Sequence, residues 1–153
     1  MHSLPFYLQL GFDHISDLAG YDHMLFLIAL CAVYRLEQWK QLVILVTAFT
    51  VGHSITLGLT SFSLITIPSN LIEFLIPVTI SVTALHNVSH HRQPIQSEKL
   101  TGRYLMALIF GFIHGMGFSN YFRTLLMEES SILVPLFGFN LGIELGQLLV
   151  VFF

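Results

Sequence analysis

Charged side chains are scarce in this chain of 153 residues, since Asp, Glu, Lys and Arg together make up 10% of it. Soluble domains carry roughly 25% charged residues, and 54% of this chain is hydrophobic. A soluble domain of this length could not bury so much apolar surface in one core. The scarcity of charge therefore excludes an ordinary soluble protein and predicts one whose main solvent is lipid.

Basic residues and cysteine are also scarce, and each shortage removes a class of function. The 6 Lys and Arg residues are spread over short loops and form no basic face, which excludes nucleic acid as a partner. The single cysteine, Cys31, excludes an intrachain disulfide and a cysteine-rich metal site. The N-terminal segment MHSLPFYLQLGF has neither the basic region nor the small-residue cleavage site of a signal peptide.

Long apolar segments take up most of the chain. A helix needs about 20 apolar residues to cross a bilayer, and such segments cover about 21–36, 40–64, 68–88, 100–126 and 132–153. We therefore predict an all-α fold over 1–153, a single integral-membrane domain. It would be a polytopic transmembrane helical bundle with about five full crossings. The shorter apolar segment 3–15 is predicted to be a half-helix or an interfacial helix.

The basic residues indicate how the chain is oriented across the lipid bilayer. Five of the 6 lie at segment ends on one predicted side: Arg35, Lys40, Arg92, Lys99 and Arg103. Only Arg123 lies at an opposite end. Because basic residues concentrate in cytoplasmic loops, loop 89–103 is predicted to be cytoplasmic. The end that carries His14 and His23 is then outside.

Titratable side chains interrupt the apolar segments, although a charge deep in hydrocarbon costs at least ~2.5 kcal/mol and usually marks a site or pathway. At 1.5 Å per residue, six of them reach a similar depth in the outer half of the membrane: His14, Asp22, His23, His53, Glu73 and His114. A single membrane histidine is more often a hydrogen-bonded packing group. The common depth is what favours one shared metal site.

The side-chain types indicate which ion such a site would hold. Imidazole suits Ni²⁺, Zn²⁺, Co²⁺ and Cu²⁺, whereas sites made of carboxylates and water suit Mg²⁺ and Ca²⁺. This histidine-rich, sulfur-free set therefore predicts a divalent transition metal. Asp22 would either bind the ion directly or fix the ring tautomer of His23.

The last segment carries a second polar face. Asn140, Glu144 and Gln147 recur at helical spacing near the middle of the membrane, and Glu144 is a candidate second station on an inward path. Three glycines on a neighbouring face predict close packing against another helix: Gly138, Gly142 and Gly146. Such Gly-rich faces could also join copies of the chain in a homo-oligomer.

Five pieces of the sequence resemble the HupE/UreJ family of bacterial membrane proteins, which is associated with nickel supply to hydrogenase and urease. In the family's order they are GFDHISDLAGYDHMLF (11–26), FTVGHSITL (49–57), IEFLIPVTISVTALHN (72–87), FGFIHGMGFS (110–119) and FNLGIELGQL (139–148). The resemblance implies a small helical permease for Ni²⁺ or a similar divalent ion in the bacterial inner (cytoplasmic) membrane.

Carried onto this chain, the resemblance implies the same six site residues. It adds Asn87, which we assign with Asn140, Glu144 and Gln147 to a secondary pathway. The chain departs from the family at its ends, because it has no cleavable leader and is expected to be short of a C-terminal helix.

Two other functions fit the same residues. An intramembrane metal-dependent hydrolase would hold a catalytic metal with three ligands and leave one position for water, with Ser54 or Ser119 assisting. Against it, the sequence has no H-E-x-x-H and no obvious general base beyond Glu73. A non-transporting metal- or haem-binding membrane subunit would use two facing histidines. The transporter is the leading hypothesis, and an enzyme is the less favoured one.

Overall fold

The computed structural model describes residues 3–17, 20–90, 97–127, 129 and 131–152. The regular secondary structure in these ranges is helical, which confirms the predicted all-α class. The helices are α1 (Leu4–Ser16), α2 (Tyr21–Cys31), α3 (Trp39–Ser61), α4 (Ser69–His90), α5 (Ser97–Leu126) and α6 (Leu133–Phe152). A 3₁₀ turn, Leu36–Gln38, precedes α3.

Four of the described helices, α3 to α6, are long and apolar enough to cross a membrane. The predicted count of five full crossings is not confirmed, because the segment predicted over 21–36 forms a helix of only 11 residues that ends at Cys31. Such a helix rises about 17 Å, roughly half of the ~30 Å hydrocarbon core. The chain turns beyond it, where the Tyr34 amide donates to the Cys31 carbonyl. The short helix predicted at 3–15 is observed as α1, with 13 residues.

α1 runs in the same direction as α6. Leu4 and Tyr7, at the start of α1, lie against Gly138, whereas Ile15, at its end, lies against Gly146. The glycine face predicted on α6 is therefore covered by α1 of the same chain, as the predicted close packing requires. A homo-oligomer stays a prediction.

α2 runs in the same direction as α4. Asp22, near the start of α2, lines a cavity together with Glu73, near the start of α4. Farther along both helices, the Asn87 amide donates a hydrogen bond to the Ala29 carbonyl. α4 begins beside the end of α5, where Asn120 donates to Ser69 at 3.4 Å, and α6 begins just after that end.

α1 and α2 consequently run in the same direction, and only residues 17–20 join them. Two parallel helices side by side would need a connection as long as a helix, and four residues span at most about 14 Å. The two helices must therefore lie in series, with α2 starting about where α1 ends. The 13 residues of α1 and the 11 of α2 together rise about 36 Å, compared with the ~30 Å of a hydrocarbon core.

Glycines also bring α3 and α5 into backbone contact. A Cβ at Gly52 would collide with the Leu108 carbonyl, and one at Gly111 would collide with the Phe49 carbonyl. In a membrane, where helices gain little from hydrophobic association, such small residues allow the close packing that holds helices together. α3 and α5 can therefore present side chains to one shared space.

The structure describes only parts of the two predicted polar loops, 89–103 and 128–131. α4 continues to His90 and α5 already begins at Ser97, so helix replaces both ends of the predicted loop 89–103. Residues 91–96 of that loop lie outside the described residues, as do residues 128 and 130 of the predicted polar turn at 128–131. The assignment of these loops to membrane sides stays a prediction.

Candidate metal site

The end of α1, the start of α2 and the middle of α3 bring three imidazoles together. One ligand nitrogen from each of His14, His23 and His53 lies within 4.8 Å of the other two. The ring centroid of His14 lies 4.6 Å from that of His23 and 6.1 Å from that of His53. Metal–imidazole bonds are about 2.0–2.1 Å long, so small side-chain movements would allow all three rings to share one ion.

A fourth imidazole, His114 of α5, lies next to this group, with its ring centroid 5.3 Å from that of His23. The His114 Nδ1 atom lies 2.8 Å from the Phe110 carbonyl oxygen. Because a carbonyl oxygen only accepts, Nδ1 carries the hydrogen and Nε2 keeps its lone pair. We call the four rings of His14, His23, His53 and His114 the imidazole pocket.

Five ring nitrogens of the imidazole pocket are buried without hydrogen-bond partners in the part of the chain that the structure describes. These atoms are Nε2 of His14, His23 and His114, and both nitrogens of His53. Buried polar groups are normally hydrogen-bonded, and each one left unsatisfied costs about 1–3 kcal/mol. A cation that accepts their lone pairs would remove that cost, so the donor set fits a transition-metal ion.

Asp22 lies against His23 rather than among the ligand atoms of the group of three. Its Oδ1 atom is 3.3 Å from His23 Nδ1 and accepts the His23 backbone N–H at 3.0 Å. A carboxylate on Nδ1 orients the ring and leaves Nε2 as the metal-binding atom. Of the two roles that the sequence left open for Asp22, this geometry fits the ring-orienting one.

A cavity of about 290 Å³ opens beside the imidazole pocket. Asp17, Asp22 and Glu73 contribute to its lining, along with His23 and His114. A water molecule takes about 30 Å³ in the liquid, so the cavity has room for an ion with part of its hydration shell. Glu73 is exposed at this cavity and is not part of the three-histidine group. It is placed to attract an approaching cation.

The polar face of α6 packs against α3, as one continuous strip of side chains. Thr50 Oγ1 donates to Gln147 Oε1 at 2.8 Å, and Thr47 Oγ1 donates to Glu144 Oε1 at 2.6 Å. Asn140, nearer the start of α6, lies next to His53 of the imidazole pocket. The structure thus connects the predicted pathway residues of α6 with the predicted site.

Asn87 lies in a different environment from the other predicted pathway residues. Besides its bond to Ala29, its Oδ1 atom accepts a hydrogen bond of 3.3 Å from the Arg103 guanidinium. Arg103 is itself buried and lies 5.8 Å from the ring centroid of Tyr34. A fixed positive charge beside Asn87 makes a poor surrounding for a cation, and its place on a pathway stays a prediction.

Several groups that shape the site were not among the residues predicted from the sequence. Thr50 and Thr47 precede His53 by three and six residues, a spacing that could have placed all three near one face of α3. The Phe110 carbonyl that orients His114 has no sequence signal, because every residue has a carbonyl. The burial of Arg103 has none either, since basic residues near segment ends usually face water.

The described helices and their buried histidine cluster define a helical membrane protein with a candidate transition-metal site. Within that class, the chain belongs to the HupE / UreJ protein family, because the model of that family matches residues 1–153, the whole chain. The resemblance found in the sequence is thereby confirmed. No curated protein and no solved structure matches the chain.

Proposed function

We propose that this protein is a permease for a divalent transition-metal ion, Ni²⁺ above all, in the bacterial inner membrane. The observation that carries the proposal is the meeting of His14, His23 and His53, from three separate helices, with ligand atoms within 4.8 Å of one another. His114 would add a fourth nitrogen, Asp22 would orient His23, and Glu73 would attract the ion.

The donor set supports a transition metal, because neutral imidazoles bind ions such as Ni²⁺ and Zn²⁺ far better than Mg²⁺ or Ca²⁺. The preference for nickel over zinc, cobalt or copper comes from the family, which is associated with nickel supply. The cavity beside the pocket supports a travelling cargo rather than a permanently enclosed ion.

The broken crossing formed by α1 and α2 also supports transport. His14 lies in the last turn of α1, where the exposed carbonyls of the helix end favour cations. Transporters commonly bind their ions at such discontinuous helices near the middle of the membrane. Asp22, in the first turn of α2, offsets the positive end of that helix next to the bound cation.

The experiment is uptake of Ni²⁺ into liposomes that contain the purified protein and an enclosed nickel-sensitive dye. We expect the wild type to load the liposomes faster than empty vesicles do, and His23→Ala and His53→Ala to lower uptake to the empty-vesicle rate. His86→Ala is the matched control, because His86 is a half-buried histidine of α4 outside the group of three.

Uptake that persists in both site variants would defeat the proposal. So would a wild type that retains nickel through washing yet never delivers it, a result that would favour the non-transporting subunit. Chelator-sensitive turnover of a peptide or lipid substrate, without uptake, would favour the hydrolase.

A further inference from the structure

The region directly below the imidazole pocket, towards the end of α2, is apolar. The Phe26 and Phe49 ring centroids lie 5.0 Å and 5.2 Å from that of His114, and 4.9 Å from each other. Leu30 and Leu45 continue the same buried cluster. An ion stripped of water gains nothing from such side chains and loses its solvation. The straight route along α2 is therefore closed in this structure.

A polar route leaves the pocket sideways, between α3 and α6. We call the side chains of Thr47, Thr50, Asn140, Glu144 and Gln147 the α3–α6 seam. Thr50 lies three residues before His53 and Thr47 three residues earlier, so the seam descends about 9 Å from His53 at 1.5 Å per residue. The hydroxyl, amide and carboxylate groups of the seam offer oxygen ligands over this distance.

The α3–α6 seam contains buried polar atoms that lack partners among the described residues. Gln147 is fully buried, and its Nε2 atom has no hydrogen-bond partner. Asn140 is 9% exposed, and its Oδ1 atom has none. Together with the unpartnered nitrogens of His53, these atoms form one strip of unsatisfied polar groups. Packing alone does not explain such a strip, because apolar side chains would fill it without unsatisfied groups.

Glu144 is the acidic residue of the α3–α6 seam. It follows the first residue of α6, Leu133, by eleven residues, which places it about 17 Å along the helix, near mid-membrane. Its carboxylate accepts the Thr47 hydroxyl at 2.6 Å, at an edge of the seam where Thr47 is exposed and Glu144 half-buried. A glutamine amide at this position could accept the same hydrogen bond without the cost of a charge in hydrocarbon. The hydrogen bond from Thr47 therefore does not explain why this residue is a glutamate.

We propose that the α3–α6 seam holds a second, oxygen-ligand cation station and forms the inward route of the ion. The inference rests on the proposed permease function and assigns the seam to the same cargo. The divalent ion leaves His53 along the oxygens of the seam, and the carboxylate of Glu144 with the hydroxyl of Thr47 holds it at the second station. Oxygen ligands hold a nickel-type ion less tightly than imidazoles do, so the second station suits release.

The test separates binding at the imidazole pocket from passage through the seam. Glu144→Gln keeps the size of the side chain and an acceptor for Thr47 but removes the negative charge. We expect its Ni²⁺ affinity at the pocket, measured by titration calorimetry in detergent, to stay within about twofold of wild type. We expect its uptake rate into liposomes to fall by about tenfold or more, because the barrier for leaving the pocket rises.

Two further variants of Thr47 extend the test. Thr47→Val removes the hydroxyl at constant shape and should also slow uptake, whereas Thr47→Ser keeps the hydroxyl and should transport like the wild type. Glu37→Gln, at an exposed glutamate outside the seam, is the matched control and should change neither binding nor uptake.

Normal uptake by both Glu144→Gln and Thr47→Val, alongside an active wild type, would overturn the seam and leave the permease standing. Loss of Ni²⁺ binding in a correctly folded Glu144→Gln would also overturn it, because the carboxylate would then belong to the first site. A wild type without uptake would overturn the permease itself.

Discussion

Gly115 of α5 lies directly against the backbone of His53 in α3. A Cβ added at Gly115 would come 2.7 Å from the His53 carbonyl oxygen and 3.0 Å from its Cα. Since Gly115 follows His114 in the chain, this contact sets how closely His114 approaches the helix that carries His53. The geometry of the imidazole pocket therefore depends on a residue with no side chain.

We predict that Gly115→Ala separates α3 from α5 and weakens both the fold and the site. Overpacking of this kind costs about 1–3 kcal/mol, so the midpoint of thermal unfolding in detergent should fall and Ni²⁺ affinity should decrease. Gly102→Ala is the control on the same helix, because a Cβ there would meet nothing within 4 Å. It should be neutral or stabilising by up to about 1 kcal/mol. Equal unfolding midpoints and equal Ni²⁺ affinities in the two variants would contradict the close packing of Gly115 on α3.

We predict that Asp22→Asn weakens metal binding without abolishing it. The carboxylate contacts His23 Nδ1 at 3.3 Å, and loss of such an orienting partner typically lowers metal affinity by about 10–100-fold. Titration calorimetry with Ni²⁺ measures the change. Asp13→Asn is a matched control, because Asp13 also precedes a pocket histidine but is exposed. Its affinity should remain that of the wild type, and an equal loss in both variants would show a general charge effect instead.

We predict that metal affinity falls as the pH is lowered into the acid range. An imidazole must be unprotonated to bind a metal, so protons compete with the ion for the same lone pairs. Calorimetry in buffers of different ionisation enthalpy counts the protons displaced at acid pH. An affinity that stays constant down to the pH at which the protein unfolds would mean that imidazoles are not the principal ligands.

The depth of each polar group in the membrane could be predicted from the sequence, because helical rise is constant along an apolar segment. The shared depth of His14, His23 and His53 followed from that, and the structure brings these rings together. The direction in which each side chain points around its helix could not be predicted in the same way. Glu73 lines the same cavity as His23 and His114, yet it is exposed there instead of joining the three-histidine group.

The arrangement of α1 and α2 in series could not be predicted either. Segments 3–15 and 21–36 are both apolar, and composition does not show whether two short segments lie side by side or in series. Their arrangement depends on contacts with distant residues, such as the packing of Gly146 on Ile15 and the bond between Asn87 and Ala29. The pairing of Thr47 with Glu144 likewise joins residues that are far apart in the chain.

X-ray absorption spectroscopy of the purified protein loaded with Ni²⁺ tests the central claim most directly. We predict a first shell that includes about three imidazole nitrogens, near the ~2.0–2.1 Å typical of metal–imidazole bonds, and a loss of imidazole scattering in His53→Ala. A shell made entirely of oxygen, or an identical spectrum from the His53→Ala protein, would contradict the claim that the imidazole pocket binds the ion.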